Sequence, residues 1–412
     1  MDIGDSPEEA AFRAEARTWL EQHATRRDPS KRHRQAATDA EQDAHAQACR
    51  EWQRVLYDGG WAGLTWPKQF GGRGGKPWQA AIFAEEQSRF DVSTGSFSVA
   101  HGMVAPTLMV HGNDAQRAHL DAMLRGDEIW AQLFSEPDAG SDLANLATRA
   151  VLDGDQWVVN GQKVWTSGAQ HSQHAILLAR TDPDAPKHAG ITYFLVDMST
   201  PGIEVRPLRQ ITGVAHFNEV FLTDVRIPKE NVVGEVNGGW KVAHTTLSNE
   251  RALIGGSGGG AFTVPELIEM ARRYGRTADP VVRQGIAKAH TRAEVLKYMG
   301  YSMRTSLARG EMPGPVASVM KLFFARHWAA TTGLAVEIEG AAGMLWGESA
   351  SDDGLWQQAF CQQYAIRIGG GTDEIQGNVI GERALGLPRE PSLDRDVPWK
   401  NQAGRESKGS GR

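Results

Sequence analysis

Ala147-Thr148-Arg149-Ala150-Val151-Leu152-Asp153-Gly154-Asp155-Gln156-Trp157-Val158-Val159-Asn160-Gly161-Gln162-Lys163-Val164-Trp165-Thr166-Ser167-Gly168 decides how the chain is divided. Short β-rich runs here alternate with Asp-Gly and Asn-Gly, the strongest short-range hairpin signals a sequence carries. The texture starts near Ile129 and continues through Ala175–Arg180, Ile191–Asp197, Ile203–Leu208 and Glu219–Ile227. It predicts an antiparallel β-domain over 129–236, a barrel or a sandwich.

On both sides the period is helical. Ser6, Pro7 and Glu9 form a capping box with proline at the first helical position, and Phe12, Ala16, Trp19 and Leu20 then line one face. Helical periods continue over 40–60 and 78–125, so 1–128 reads as a helical domain. After the β-segment they return in four long stretches, 239–274, 280–309, 316–342 and 352–383, which predicts a four-helix bundle over 237–388. The polar segment 389–412 reads as a disordered tail. The fold class expected is therefore multidomain α+β: helical domain, central antiparallel β-barrel, four-helix bundle.

Composition restricts the function. The chain has 412 residues, 41% hydrophobic and 23% charged, with a net charge of −6, which suits two or three globular domains and excludes disorder, collagen and coiled coil. No apolar run approaches the ~18 residues of a membrane span, and the acidic amino terminus does not read as a signal peptide. A cytoplasmic protein is expected. Cys49 and Cys361 form no Cys-x-x-Cys, so no disulfide framework or cysteine zinc site is expected. The negative balance argues against a nucleic-acid partner. No histidine pair has zincin spacing, and His101, His111 and His119 lack carboxylate or cysteine companions, so no metal is expected.

Three motifs carry chemistry. Leu133-Phe134-Ser135-Glu136-Pro137-Asp138-Ala139-Gly140-Ser141-Asp142 leaves a strand for a loop of hydroxyls and a glycine, which suits a pyrophosphate or the polar edge of a flavin and equally suits a surface turn. Gln162-Lys163-Val164-Trp165-Thr166-Ser167-Gly168 sets an indole beside two hydroxyls, fit for a flat heteroaromatic ring, although a strand tryptophan is ordinarily core. Ile368-Gly369-Gly370-Gly371-Thr372-Asp373-Glu374-Ile375-Gln376 is a glycine hinge opening a helix, a cofactor site or a tight turn. Gly256-Ser257-Gly258-Gly259-Gly260-Ala261 has dinucleotide-loop spacing but follows a helix where that motif needs a strand.

In this order and context, the three motifs resemble the acyl-CoA dehydrogenase family over about residues 5–388. The resemblance implies FAD held between the β-domain and the last helical domain, and a tetramer. Gln132, Leu133, Phe134, Ser135, Gly140 and Ser141 match the flavin loop, with Ser141 also near the acyl-CoA; Trp165, Thr166 and Ser167 match the wall of the isoalloxazine and the hydroxyl at N5. Thr372, Glu374 and Gln376 match the helix start that touches FAD again. Arg273 and the pair Glu337 and Gly340 match contacts to a neighbouring subunit's FAD, with Arg273 lacking the usual phenylalanine after it. Electron-transferring flavoprotein is the acceptor implied.

The catalytic carboxylate that many members carry just before the Gly-Thr of the third motif is replaced here by Gly370. In isovaleryl- and long-chain-type members it stands on the first helix of the carboxy-terminal domain, where this chain has Asn249-Glu250-Arg251. Glu250 is thus the base by resemblance, Arg251 is assigned to the substrate, and Gly370 keeps the backbone N–H that would face the thioester oxygen. The glycines after Glu250 cost about 1 kcal/mol each within a helix; a wide cavity for branched, cyclic or polycyclic acyl groups would account for them, as would close helix packing. The motifs also resemble actinobacterial members, some of which act on steroid side chains. A flavin monooxygenase of the same fold, or a partner subunit of a mixed tetramer, are the rival readings.

Overall fold

A computed structural model describes residues 4–28, 38–256, 263–308, 316–391 and 394–402. In chain order the helices are α1 (Pro7–His23), α2 (Asp39–Asp58), α3 (Pro77–Gln87), α4 (Ala105–His111), α5 (Asp114–Arg117), α6 (His119–Arg125), α7 (Gly239–Gly256), α8 (Val264–Arg273), α9 (Pro280–Ala308), α10 (Val316–Glu339), α11 (Leu355–Ile368) and α12 (Asp373–Val379). The strands are β1 (Trp130–Leu133), β2 (Arg149–Asp153), β3 (Gln156–Ser167), β4 (His174–Arg180), β5 (Ile191–Asp197), β6 (Ile203–Leu208) and β7 (Phe217–Pro228). The chain separates into two compact units, one drawn from Met1–Gln35, Gly75–Asp91 and Arg251–Pro388, the other from Ala36–Gly74, Val92–Glu250 and Arg389–Arg412.

In the first unit, α1 starts at the expected capping box, with Glu9 N donating to Ser6 Oγ and Ser6 N to the Glu9 carboxylate. It packs on α3 through Phe12 and Trp78, whose rings meet edge-on at 5.5 Å. Beneath them Glu86, fully buried, receives Arg13 Nη1 at 3.0 Å and Arg17 Nε at 2.9 Å. Leu267 and Met270 of α8, Ala289 of α9, Leu334 and Ile338 of α10 and Trp356 of α11 form a separate core. Two of the expected continuous helical stretches are divided. α8 is an independent helix with its own Thr263 capping box, and 352–383 breaks at Gly369–Gly371, where Gly370 and Gly371 take φ of 65° and 91°.

In the second unit one sheet runs β1-β4-β2-β3-β7-β6, with β5 beside β4. It is antiparallel except where β1 and β2 pair parallel to β4, a refinement of the all-antiparallel expectation. Asp153-Gly154 makes the expected hairpin between β2 and β3. Asn160-Gly161 does not turn: β3 runs straight through it with a shift in its register to β7. A Cβ at Gly161 would lie 2.8 Å from Thr148 Cα, and the Asn160 amide exchanges two hydrogen bonds with Asp224. The glycine serves a close approach and the asparagine braces the neighbouring strand. One face of the sheet buries Leu133, Val159, Leu177, Phe194 and Val220; the other meets α4 and α7 through Ile176, Tyr193, Leu108 and Ala243.

Two further expectations change here. Residues 394–402, assigned by composition to a disordered tail, lie against the sheet unit: Trp399 N donates to Ala185 O at 2.9 Å, and the Arg180 guanidinium stands 4.8 Å from the Trp399 ring. Hydrophobic content in that stretch is low, but a single indole over a cation suffices as an anchor. His119, read as lacking an acidic companion, has one in space: Nδ1 lies 2.9 Å from the Glu128 carboxylate, which His174 Nε2 approaches at 3.5 Å.

Two measurements check these contacts. Trp399→Ala should cost about 1–2 kcal/mol, the range of a partly desolvated cation–π contact, in urea unfolding. Burial would raise the Glu86 carboxyl, but hydrogen bonds from Arg17 and Arg13 override it and hold it below the ordinary glutamate value. Its contribution is complete above the unfolded value of about 4.3 and is lost as pH falls through the lower folded value. Glu86→Gln should therefore destabilise the protein by about 3 kcal/mol at pH 7, and the difference from wild type should shrink on acidification below pH 4.

Candidate active site

The site in the sheet unit is built on the end of β1, the loop that follows it, β3 and α7. After Leu133 and Phe134, both buried in the core, the chain turns at Glu136–Ala139 through paired backbone hydrogen bonds of 3.0 and 3.1 Å. Ser135 O accepts from Val164 N at 2.9 Å, tying the loop to β3. Gly140 and Ser141 are exposed, and a Cβ at Gly140 would meet nothing within 4 Å. That glycine is not required by packing and leaves the loop open to a ligand.

The anchor under this loop was not visible in the motifs. Lys163, completely buried on β3, donates to Glu136 Oε1 at 2.8 Å and Phe134 O at 3.0 Å. Glu136 also accepts from the backbone N–H groups of Ala147 and Thr148. Burial works to raise the Glu136 carboxyl, but the Lys163 charge and these donors bring it below its ordinary value, which favours the carboxylate. No local signal marks the pair, because β3 mixes polar and apolar residues and its lysine finds Glu136 27 positions away.

Just beyond Lys163 the β3–β7 register shifts again, before Thr166. At this bulge Trp165 takes a left-handed φ of 62° and is 60% exposed. A bulky residue in that region is a true outlier, costing on the order of 1–3 kcal/mol, and such strain clusters at functional sites. The indole and the Phe217 ring meet nearly perpendicular, with centroids 6.1 Å apart. Ser167 is exposed, whereas Thr166 is buried with its hydroxyl lacking a protein partner.

Glu250 stands near the end of α7, and Gln132 Nε2 of β1 donates to its Oε2 at 3.4 Å. One turn earlier, the buried Thr246 hydroxyl meets Thr107 Oγ1 at 2.9 Å and Tyr193 Oη at 3.1 Å, while Thr245 meets His111 Nε2 at 2.8 Å. These bonds hold α7 against α4 and β5 and so set the rotation that turns Glu250 toward β1. The side chain of Arg251 and the glycine run over 257–261 lie outside the described residues.

The third motif belongs to the other unit. Gly370 O accepts from Gln376 Nε2 at 2.7 Å and Gly371 O from the buried Lys321 Nζ at 2.6 Å. Thr372 caps α12, accepting from Ile375 N, and Arg367 pairs with Asp373 at 2.9 Å. Gln376 is thus a clasp for the glycine loop, while Glu374 is exposed. A Cβ at Gly371 would lie 2.7 Å from Gln376 Nε2. In the same unit Arg273 pairs with Asp352 at 3.3 Å, and Glu337 and Gly340 are exposed at the end of α10.

The family profiles described as acyl-CoA dehydrogenase N-terminal, middle and C-terminal domain match residues 6–127, 131–225 and 237–385. The chain belongs to the acyl-CoA dehydrogenase family. It is 40% identical over 351 residues to the acyl-CoA dehydrogenase IpdE1 of Mycobacterium tuberculosis, covering 83% of this chain and 88% of that one. Among solved structures it is similar to the Tcur3481-Tcur3483 steroid ACAD, at 30% identity and a TM-score of 0.80 over 95% of this chain and all of that one. It is also similar to the ChsE4-ChsE5 complex from Mycobacterium tuberculosis, at 30% identity and a TM-score of 0.75 with the same coverage. The chain is accordingly an oxidoreductase of the acyl-CoA dehydrogenase class. The family's FAD suits the residues present, since an exposed indole held in a strained conformation and a buried hydroxyl without a protein partner are what a planar, hydrogen-bonding group would complete.

Replacing Lys163 with Met leaves Glu136 buried and unpaired. The variant should lose about 3–5 kcal/mol in urea unfolding and retain less flavin per chain, read from the ratio of 450 to 280 nm absorbance.

Proposed function

We propose that this chain removes an α-proton from an acyl-CoA thioester with Glu250 as base, in an FAD-dependent α,β-dehydrogenation. The observation that carries this reading is the pairing of Glu250 with Gln132 in a chain whose alternative base position is the side-chain-free Gly370. Gln132 orients the carboxylate without neutralising it, because an amide donates a hydrogen bond but no charge. The proton lost from the α-carbon passes to Glu250 Oε, and the charge developing on the thioester oxygen is met by the Gly370 N–H. The Gln376 and Lys321 clasps keep the glycine loop from relaxing when that charge appears. FAD, when bound, supplies the hydride acceptor for the β-hydrogen. Trp165, Ser135, Ser167 and the Thr372 helix start are the residues we assign to hold it, with Ser141 and Arg251 on the CoA ester and Arg273, Glu337 and Gly340 reserved for a neighbouring subunit's cofactor.

For the acyl group we favour a bulky, steroid-like one. The reading is supported by the similarity to a protein whose structure is described as a steroid ACAD. We read the assembly as a mixed tetramer, supported by the two-protein composition of both structural relatives, with electron-transferring flavoprotein as acceptor. Among the described residues, no helix is long and apolar enough to cross a membrane.

Glu250→Gln should keep its flavin yet lose about 10²–10⁴-fold in the rate of anaerobic flavin bleaching, the range a general base contributes. Unchanged bleaching with a good substrate would remove Glu250 from the role. In a panel of CoA thioesters, polycyclic or branched acyl groups should bleach wild type faster than straight butyryl to octanoyl chains, and the reverse order would end the bulky-substrate assignment.

A further inference from the structure

The dehydrogenation leaves unused a compact group of metal-ligating side chains in the sheet unit. His119 at the start of α6, Glu128 just before β1 and His174 at the start of β4 bring one ligand atom each to within 4.8 Å of one another. His119 Nδ1 lies 2.9 and 3.0 Å from the two Glu128 oxygens, and His174 Nε2 lies 3.5 Å from Oε1. Around a tetrahedral ion with bonds of about 2.0–2.2 Å, donor atoms stand about 3.3–3.5 Å apart, so the closest pair would open by about half an ångström and the widest would close by up to about 1.4 Å to admit one.

The surroundings hold these ligands in place. Trp130, buried to 1%, donates its indole N–H to Glu128 Oε2 at 3.0 Å, the outer-sphere bond a ligating carboxylate ordinarily has. The parallel β1–β4 register sets His174 beside Trp130. Gln173 Oε1, accepting from Ile129 N at 2.9 Å and Arg50 Nη2 at 2.6 Å, locks the residues next to two of the ligands. The three side chains keep 29%, 17% and 24% exposure, enough for an ion to enter and for water to fill a fourth position.

We propose that His119, Glu128 and His174 bind a divalent transition metal of the zinc class, joining α6, β1 and β4. Two imidazoles and one carboxylate suit zinc, cobalt, nickel or copper and do not suit magnesium or calcium, which take oxygen ligands in greater number. The ion has no part in proton or hydride transfer; it ties a surface helix to the first strand of the sheet.

The test uses the flavin-loaded protein, dialysed against chelator and titrated with Zn²⁺ in competition with a chromophoric chelator. One Zn²⁺ per chain is expected, with a rise in unfolding midpoint. His174→Gln and Glu128→Gln should each weaken binding by at least about 100-fold, the upper end of what loss of an outer-sphere partner costs, and should abolish the midpoint rise. Binding equally tight in both variants, or none in wild type, overturns the site. Wild type alone decides if a variant fails to fold: Co²⁺ should give the intense visible bands of a tetrahedral site, and only the weak bands of hydrated Co²⁺ would overturn the proposal.

Discussion

The buried ion pair between Lys163 and Glu136 is the constraint on which the sheet unit turns. A lysine with no solvent exposure needs its carboxylate and its carbonyl acceptor within reach, because either charge alone in the interior would cost several kcal/mol. Meeting that need pulls the loop after β1 down onto β3 and fixes the backbone of Phe134 through Thr148. It also fixes where β3 must bulge, two residues before Ser167. Trp165 is thereby pushed outward into its left-handed conformation, so a pair that touches no ligand governs the attitude of the most exposed indole in the motif.

A second constraint separates the two possible positions for the base. Gly370 adopts a left-handed φ of 65°, which a carboxylate-bearing residue would occupy only with strain. Glu250, by contrast, sits on a regular helix anchored one turn earlier by the Thr107–Thr246–Tyr193 hydroxyl cluster. Moving the acid onto α7 leaves the glycine loop to be shaped by its carbonyl clasps alone, Gln376 on one and Lys321 on the next.

Much of this was legible from local pattern. The Ser6 capping box, the Asp153-Gly154 hairpin and the strands β2 and β4 to β7 stand where composition and period put them, because short-range sterics decide them. What escaped were features made by residues distant in sequence. Asn160-Gly161 carries turn chemistry, yet Thr148 and Asp224 across the sheet claim both residues. Lys163 and Glu136 are separated by 26 intervening positions and give no periodic signal. His119 has its carboxylate in space and not in motif. Trp399 is a lone indole in a polar stretch, and the Arg180 cation and the Asn145 carbonyl that it meets lie too far off in sequence for any window to reveal. Among the site residues, Gln376, expected to touch the cofactor, also holds a carbonyl of its own loop through Nε2, while its buried Oε1 has no protein partner among the described residues.

The two units are interleaved along the chain, and the sheet unit takes its last described residues from 394–402. During synthesis, β1 to β7 leave the ribosome well before Trp399 exists to cover Arg180. At about 5–20 residues per second, that interval is on the order of ten seconds or more. Throughout it Arg180 lacks that ring and keeps its hydrogen bonds to the carbonyl oxygens of Ala144, Leu146 and Lys187, and the first helical unit is likewise waiting for α8 to α12. Neither unit can finish before these late residues have been made, so the two mature together and not one after the other as the chain emerges.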